Sequence, residues 1–101
     1  MLIYNTTYTV PVADARNFVI WIKESFIPQA NNDGYLSDPR LLRILSHHDE
    51  NSECFSVQFK VDSTAQLHQW YVKKGQQLAL EMKSLFDERV VGFSTLMEEI
   101  N

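Results

Sequence analysis

Arg40-Leu41-Leu42-Arg43-Ile44-Leu45 is the stretch whose reading decides the fold. It reads as a β-strand, and because side chains alternate along a strand, Leu42 and Ile44 point one way while Leu41 and Leu45 point the other. Both faces need cover. Pro39, immediately upstream, has no N–H to give a ladder, so this end of the strand belongs at a sheet edge. An edge strand that is apolar on both faces calls for a second layer. A chain this short has difficulty supplying that layer, and a second copy of the chain is the expected partner.

At 101 residues, the chain is expected to form a single domain over residues 1–101, burying about 60–70% of the surface its unfolded form exposes. Hydrophobic residues make up 45% and charged residues 22%, ordinary globular usage that argues against disorder or a fibrous repeat. The net charge of −4, with no cluster of lysine and arginine, would repel a nucleic-acid backbone. No apolar run approaches the ~20 residues of a membrane-spanning helix. Met1 to Thr7 lacks the basic start, apolar middle and small-residue cleavage site of a signal peptide and reads as a strand. A lone cysteine, Cys54, can form no internal disulfide, whereas small secreted domains usually carry several. A cytoplasmic protein is expected.

Working outward from the central strand, Leu2, Tyr4, Tyr8 and Val10 alternate with Asn5, Thr7 and Thr9, the period of a strand with one polar face. Asp14 is the expected N-cap of an amphipathic helix carrying Phe18, Ile22 and Phe26, and Pro28 should stop or kink it. Residues 48–52 suit a hairpin leading to Phe55, Val57, Phe59 and Val61, which face a core while Cys54, Ser56, Gln58 and Lys60 face away. Ser63 with Gln66 resembles a capping box opening a second helical region, in which Gly75 should mark a bend. Arg89 to Ile100 is a last strand, again apolar on both faces. The order β-α-β-β-α-β predicts an α+β, ferredoxin-like fold: a four-stranded antiparallel sheet in the spatial order 4-1-3-2, helices on one face, strands one and three central. Two open sheet faces stacked about a two-fold axis would give an isologous homodimer, a dimeric α+β barrel.

Motifs that carry chemistry are few. His47-His48-Asp49-Glu50 contains metal-binding residue types, but adjacent histidines on a strand diverge and the stretch sits at a predicted turn, so a solvated turn is expected and no metal site. His68 reads as a surface or hydrogen-bonded helical histidine, and Cys54 as a small semi-buried residue without a CxxC partner or an obvious base. No GxGxxG, P-loop, Gly-x-Ser-x-Gly or HExxH pattern occurs. No cofactor is expected. The constellation with structural logic is the polar middle of the open sheet face: Asn5, Thr7 and Thr9, with Ser56, Gln58 and Lys60, joined by Arg43 and His47 from strand two. These positions lack the exposed aromatics with which an RNA-recognition sheet stacks bases. A polar dimer interface is the first reading of this face. A small-molecule site, in the groove between sheet and helices or within the dimer, is the second, with Asn5, Thr7, Trp21, Arg43, Ser56 and Gln58 as candidate binding residues.

Tyr4-Asn5-Thr6-Thr7, Trp21-Ile22-Lys23-Glu24 running to Ile27-Pro28, Arg40 to Leu45, Val57-Gln58-Phe59 and Phe93-Ser94-Thr95-Leu96-Met97-Glu98 together resemble the bacterial domain-of-unknown-function family 4286 across almost the whole chain. The resemblance implies a ferredoxin-like domain of the dimeric α+β barrel group, which includes cofactor-free monooxygenases, haem-degrading enzymes and small isomerases. It implies no established activity. It also implies histidine just before the Ile-Pro pair and in the second helix, where this chain has Phe26 and Met82, so histidine chemistry does not carry over. Two expectations follow: a homodimer without an identifiable catalytic motif, or a small-molecule-binding, monooxygenase- or isomerase-like protein.

Overall fold

Strand β1 (Leu2–Pro11) is hydrogen-bonded on both sides, to β3 (Ser52–Val61) along its full length and to β4 (Val91–Glu98) from Leu2 to Thr9. The computed structural model describes residues 1–100. Strand β2 (Leu36–Arg43) pairs with the outer side of β3, giving an antiparallel sheet in the order β2-β3-β1-β4. This is the expected arrangement. Between β1 and β2 run helix α1 (Val12–Trp21), a π-helical turn (Ile22–Phe26) and helix α2 (Ile27–Ala30). Between β3 and β4 run α3 (Thr64–Trp70), a second π-helical turn (Tyr71–Gly75) and α4 (Gln76–Phe86). The fold is α+β and ferredoxin-like, with the helices on one face of the sheet.

Residues paired across a ladder share a face. Tyr4, Thr6, Tyr8 and Val10 therefore face the helices with Val57, Phe59 and Leu96, while Ile3, Asn5, Thr7 and Thr9 face the open side with Cys54, Ser56, Gln58, Val91, Phe93 and Met97. The core forms where the first set meets the helices. Phe18 is fully buried at its centre, with ring centroids 5.2 Å from Tyr8, 5.7 Å from Phe55 and 5.8 Å from Phe86.

Several local expectations are corrected. Strand β2 begins at Leu36 and contains Pro39, because a bulge between Ser37 and Arg40, with Asp38 at φ 50°, takes the proline out of the ladder on the outer strand. Of the quoted run, Leu41 packs on the core, Leu42 is 42% exposed on the open face, and Leu45 lies past the strand end at 84% exposure. Helix α1 starts at Val12, not after Asp14; the Val12 N–H bonds to Asn51 O at 3.0 Å, and the Asp14 carboxylate accepts from Arg89 Nε at 2.9 Å. Pro28 does not end the helix. The Ile27 N–H reaches back five residues to Ile22 O, so Pro28 falls in the first turn of a renewed segment, where its missing N–H costs nothing. Ser63 caps α3 as expected, accepting from Gln66 N at 3.1 Å.

Gly75 ends the second π turn with ordinary helical dihedrals, so its need is spatial: a Cβ there would sit 2.8 Å from both Trp70 Cζ3 and Tyr71 Cδ1. Strand β4 is shorter than Arg89 to Ile100, and every one of its residues is exposed, Val91 and Phe93 to 63% each. The helices do not reach across it. Phe18→Ala should destabilise the domain by about 3–5 kcal/mol, a large share of a small domain's total stability, measured as a shift of the urea midpoint.

Candidate functional site

On the open face, Asn5, Thr7, Ser56 and Gln58 come together as the sequence indicates. Asn5 and Ser56 are buried. The Ser56 hydroxyl donates to Asn5 Oδ1, Asn5 Nδ2 donates to Thr7 Oγ1 at 3.1 Å, and Gln58 Nε2 donates to Ser56 Oγ at 3.3 Å. These side chains satisfy one another, which suits a structural polar strip more than an empty binding site. The other two candidates lie elsewhere. Arg43 stands opposite Phe55, hence on the helix side, where it pairs with Glu53 at 3.2 Å and lies 5.5 Å from the Phe55 ring centroid. Trp21 is buried on the helix side; its indole N–H donates to Glu81 Oε1 at 2.9 Å, and the Ser25 hydroxyl donates to the same oxygen at 3.1 Å.

The β2–β3 connection also differs from a simply solvated turn. Ser52 Oγ donates to Asp49 Oδ2 at 2.8 Å, so it accepts from His47 Nε2–H at 2.8 Å, and His47 Nδ1 lies 3.3 Å from Cys54 Sγ. The Asn51 N–H and the Ser52 hydroxyl hold the Asp49 carboxyl below the usual carboxylate range. Cys54 thus has an imidazole neighbour that lies seven residues away, across a hairpin. The buried thiol and the ring tie the connection to the sheet. Among the described residues no group of three or more His, Cys, Asp and Glu is placed to hold a metal ion.

A second candidate, on the opposite face, is a cavity of about 220 Å³ between the sheet and the second helical region. Its floor is Tyr8, Val57 and Phe59. Trp70, Tyr71, Gly75, Ala79 and Met82 form one wall with Phe26, and Tyr4, Thr6 and the β4 segment Gly92-Phe93-Ser94 form the other. Residues from both π-helical turns, Phe26 and the Tyr71–Gly75 pair, reach it, and such turns occur often at functional sites. Across the sheet wall, Tyr4 OH lies 3.1 Å and Thr6 Oγ1 3.0 Å from Ser94 Oγ. Gly92 is confined by the floor, since a Cβ there would meet the Tyr8 ring at 2.8 Å. None of the lining residues is ionised at neutral pH. Burial pushes the Tyr8 hydroxyl well above the ordinary tyrosine value; neighbouring Tyr4 adds to the rise and a hydrogen bond with Thr6 opposes it.

The sequence reading named the groove between sheet and helices, but none of its candidate binding residues lines this cavity, because the site needs Thr6 and Ser94 opposite one another and a π turn beside Gly75. The one signal available was the pair of glycines set against aromatic residues.

The model of the family described as "Domain of unknown function (DUF4286)" matches residues 1–100. The chain belongs to this family. No curated protein matches it. Among solved structures, this DUF4286 chain is similar to HapK from Hahella chejuensis, with a TM-score of 0.73 at 12% identity, covering 99% of this chain and 93% of that one. It is also similar to an ethyl tert-butyl ether (EthD) family protein from Bacillus halodurans, with a TM-score of 0.70 at 14% identity over 99% and 100% of the two chains. A candidate antibiotic biosynthesis monooxygenase from Deinococcus radiodurans gives a TM-score of 0.73 at 16% identity over 100% and 94%. At these identities the likeness establishes the fold alone.

Because the folded state holds the Tyr8 proton to higher pH than the unfolded chain does, the stabilisation it contributes is complete below the ordinary tyrosine value near 10 and is lost as pH rises beyond it. Tyr8→Phe should therefore flatten the decline of stability above about pH 10, measured by urea unfolding at several pH values.

Proposed function

We propose that this DUF4286 domain is a cytoplasmic homodimer that binds a small molecule in the cavity between its sheet and its second helical region. The observation that carries the reading is the cavity itself: concave, aromatic-lined, with a small set of convergent hydroxyls, the composition usual for small-molecule sites. The open-face strip of Asn5, Thr7, Ser56 and Gln58 supports a role in association, since it is already hydrogen-bonded and is flanked by exposed Leu42, Val91, Phe93 and Met97. No helix is long and apolar enough to cross a membrane. The single cysteine supports the cytoplasmic placement.

A second reading, cofactor-free oxygenase- or isomerase-like chemistry in the same cavity, draws support from the fold likeness to the Deinococcus radiodurans protein. Turnover of a bound ligand separates it from binding alone, with oxygen uptake marking the oxygenase case and turnover without uptake the isomerase case.

Size-exclusion chromatography with light scattering at micromolar concentration should give twice the chain mass of 11.8 kDa. Leu42→Asp combined with Val91→Asp should return it to the single-chain mass with helix content unchanged. A strictly monomeric parent protein would overturn the dimer. For the cavity, a metabolite present at one hundred times its Kd should add about 2.7 kcal/mol of stability. That gain, read as a rise in Tm, should vanish in Ala79→Trp, which fills the cavity from an exposed helix position.

A further inference from the structure

The cavity's polar and apolar parts are separated. Tyr8, Phe26, Val57, Phe59 and Trp70 are buried and form its deep end, whereas Ser94 is exposed at the β4 side with half-buried Tyr4 and Thr6 beside it. The depth is aromatic, with Tyr4 and Trp70 edge to face at 5.9 Å between centroids, a surface that favours a ring edge or face over a flexible chain.

The hydroxyls impose a second condition through their protons. Tyr4, Ser94 and Thr6 form a chain of three oxygens joined by two hydrogen bonds. Three hydroxyls carry three protons and two bonds use two of them, and the Tyr8 hydroxyl bonded to Thr6 adds one proton and one bond, which leaves the balance unchanged. One O–H is therefore always left to donate, whichever way the chain is polarised. Water can take it while the cavity is open. A purely apolar occupant would strip that water and leave the donor without a partner, whereas a carbonyl-type oxygen would accept from it. Charge supplies a third condition. With no ionised lining group, a carboxylate or ammonium would lose hydration and gain no counter-charge.

We propose, building on the cavity as a ligand site, that its ligand is a neutral, flat aromatic molecule bearing a carbonyl-type oxygen, its ring against Trp70 and Phe59 and its oxygen at the Tyr4–Ser94–Thr6 hydroxyls. Gly92 and Gly75 shape the slot: each lacks the Cβ that would otherwise displace the Tyr8, Trp70 or Tyr71 rings lining it.

Three probes of nearly one shape test the class: 2-acetylnaphthalene, 2-ethylnaphthalene and 2-naphthoate, with Kd measured by ligand-detected NMR. The ketone should bind about three- to tenfold more tightly than the ethyl analogue, as expected for one recovered hydrogen bond, and the carboxylate should bind most weakly. Ser94→Ala, at an exposed position, should reduce the ketone's advantage and leave 2-ethylnaphthalene unchanged, and Ala79→Trp should abolish binding of all three. Equal binding of ketone and ethyl analogue, or tightest binding of 2-naphthoate, overturns the ligand class but leaves the cavity as the site if Ala79→Trp still blocks it. Binding indifferent to Ala79→Trp overturns the cavity itself. No binding of the ketone overturns the class, and the metabolite series then decides separately whether the cavity takes any ligand.

Discussion

The structure depends on β1 being bonded on both edges at once. A strand with partners on each side cannot rotate or slip without moving both ladders, and a shift of one residue would exchange its two faces. Thr6, Tyr8 and Val10 are therefore committed to the helices, and Asn5, Thr7 and Thr9 to the open face. Every later feature inherits this parity. The core gathers around Phe18 because Tyr8 and Phe55 are brought to the same side. The polar strip exists because Asn5 and Ser56 share the other. The cavity's hydroxyls converge because Thr6 and Ser94 are cross-strand partners.

Much of the fold was legible because it is written in period two. The βαββαβ order, the central positions of β1 and β3 and the polar strip of the open face all follow from alternation, and the structure has them. The central run was harder. Leu41 and Leu42 do divide between faces, but Leu45 lies beyond the strand, and Pro39 lies within it because a bulge, which no alternation announces, absorbs the mismatch. Pro28 was half legible: the helical run does not stop there, but regular α geometry gives way to a wide turn just before it, which removes the conflict that proline usually creates in a helix.

The candidate site was less legible than the fold, for a physical reason. Asn5, Thr7, Ser56 and Gln58 were found because one strand pair brings them together. Arg43 was misplaced because a strand apolar on both faces does not say which face meets the helices, and Arg43 shares the core face with Leu41. The cavity depends on contacts between residues far apart in the chain and on two departures from α-helical geometry, neither of which leaves a periodic trace. The Cys54–His47 neighbourhood is likewise a product of hairpin closure. Sites assembled from side chains of several elements are read from sequence only when each contributor stands out by type, and hydroxyls and aromatic rings do not.

Strand β4 has both ladder bonding and almost no burial. It is an outer strand, its eight residues are exposed, and it is held by one ladder, to β1, and by the Ser94 hydroxyl bonds to Tyr4 and Thr6. Such a segment opens locally at a fraction of the free energy needed to unfold the core. It also supplies Gly92, Phe93 and Ser94 to the cavity wall. One wall of the cavity is thus a lightly held outer strand rather than a loop. Anything that covers or extends this strand in an assembly would stiffen one wall of the cavity without touching its contents.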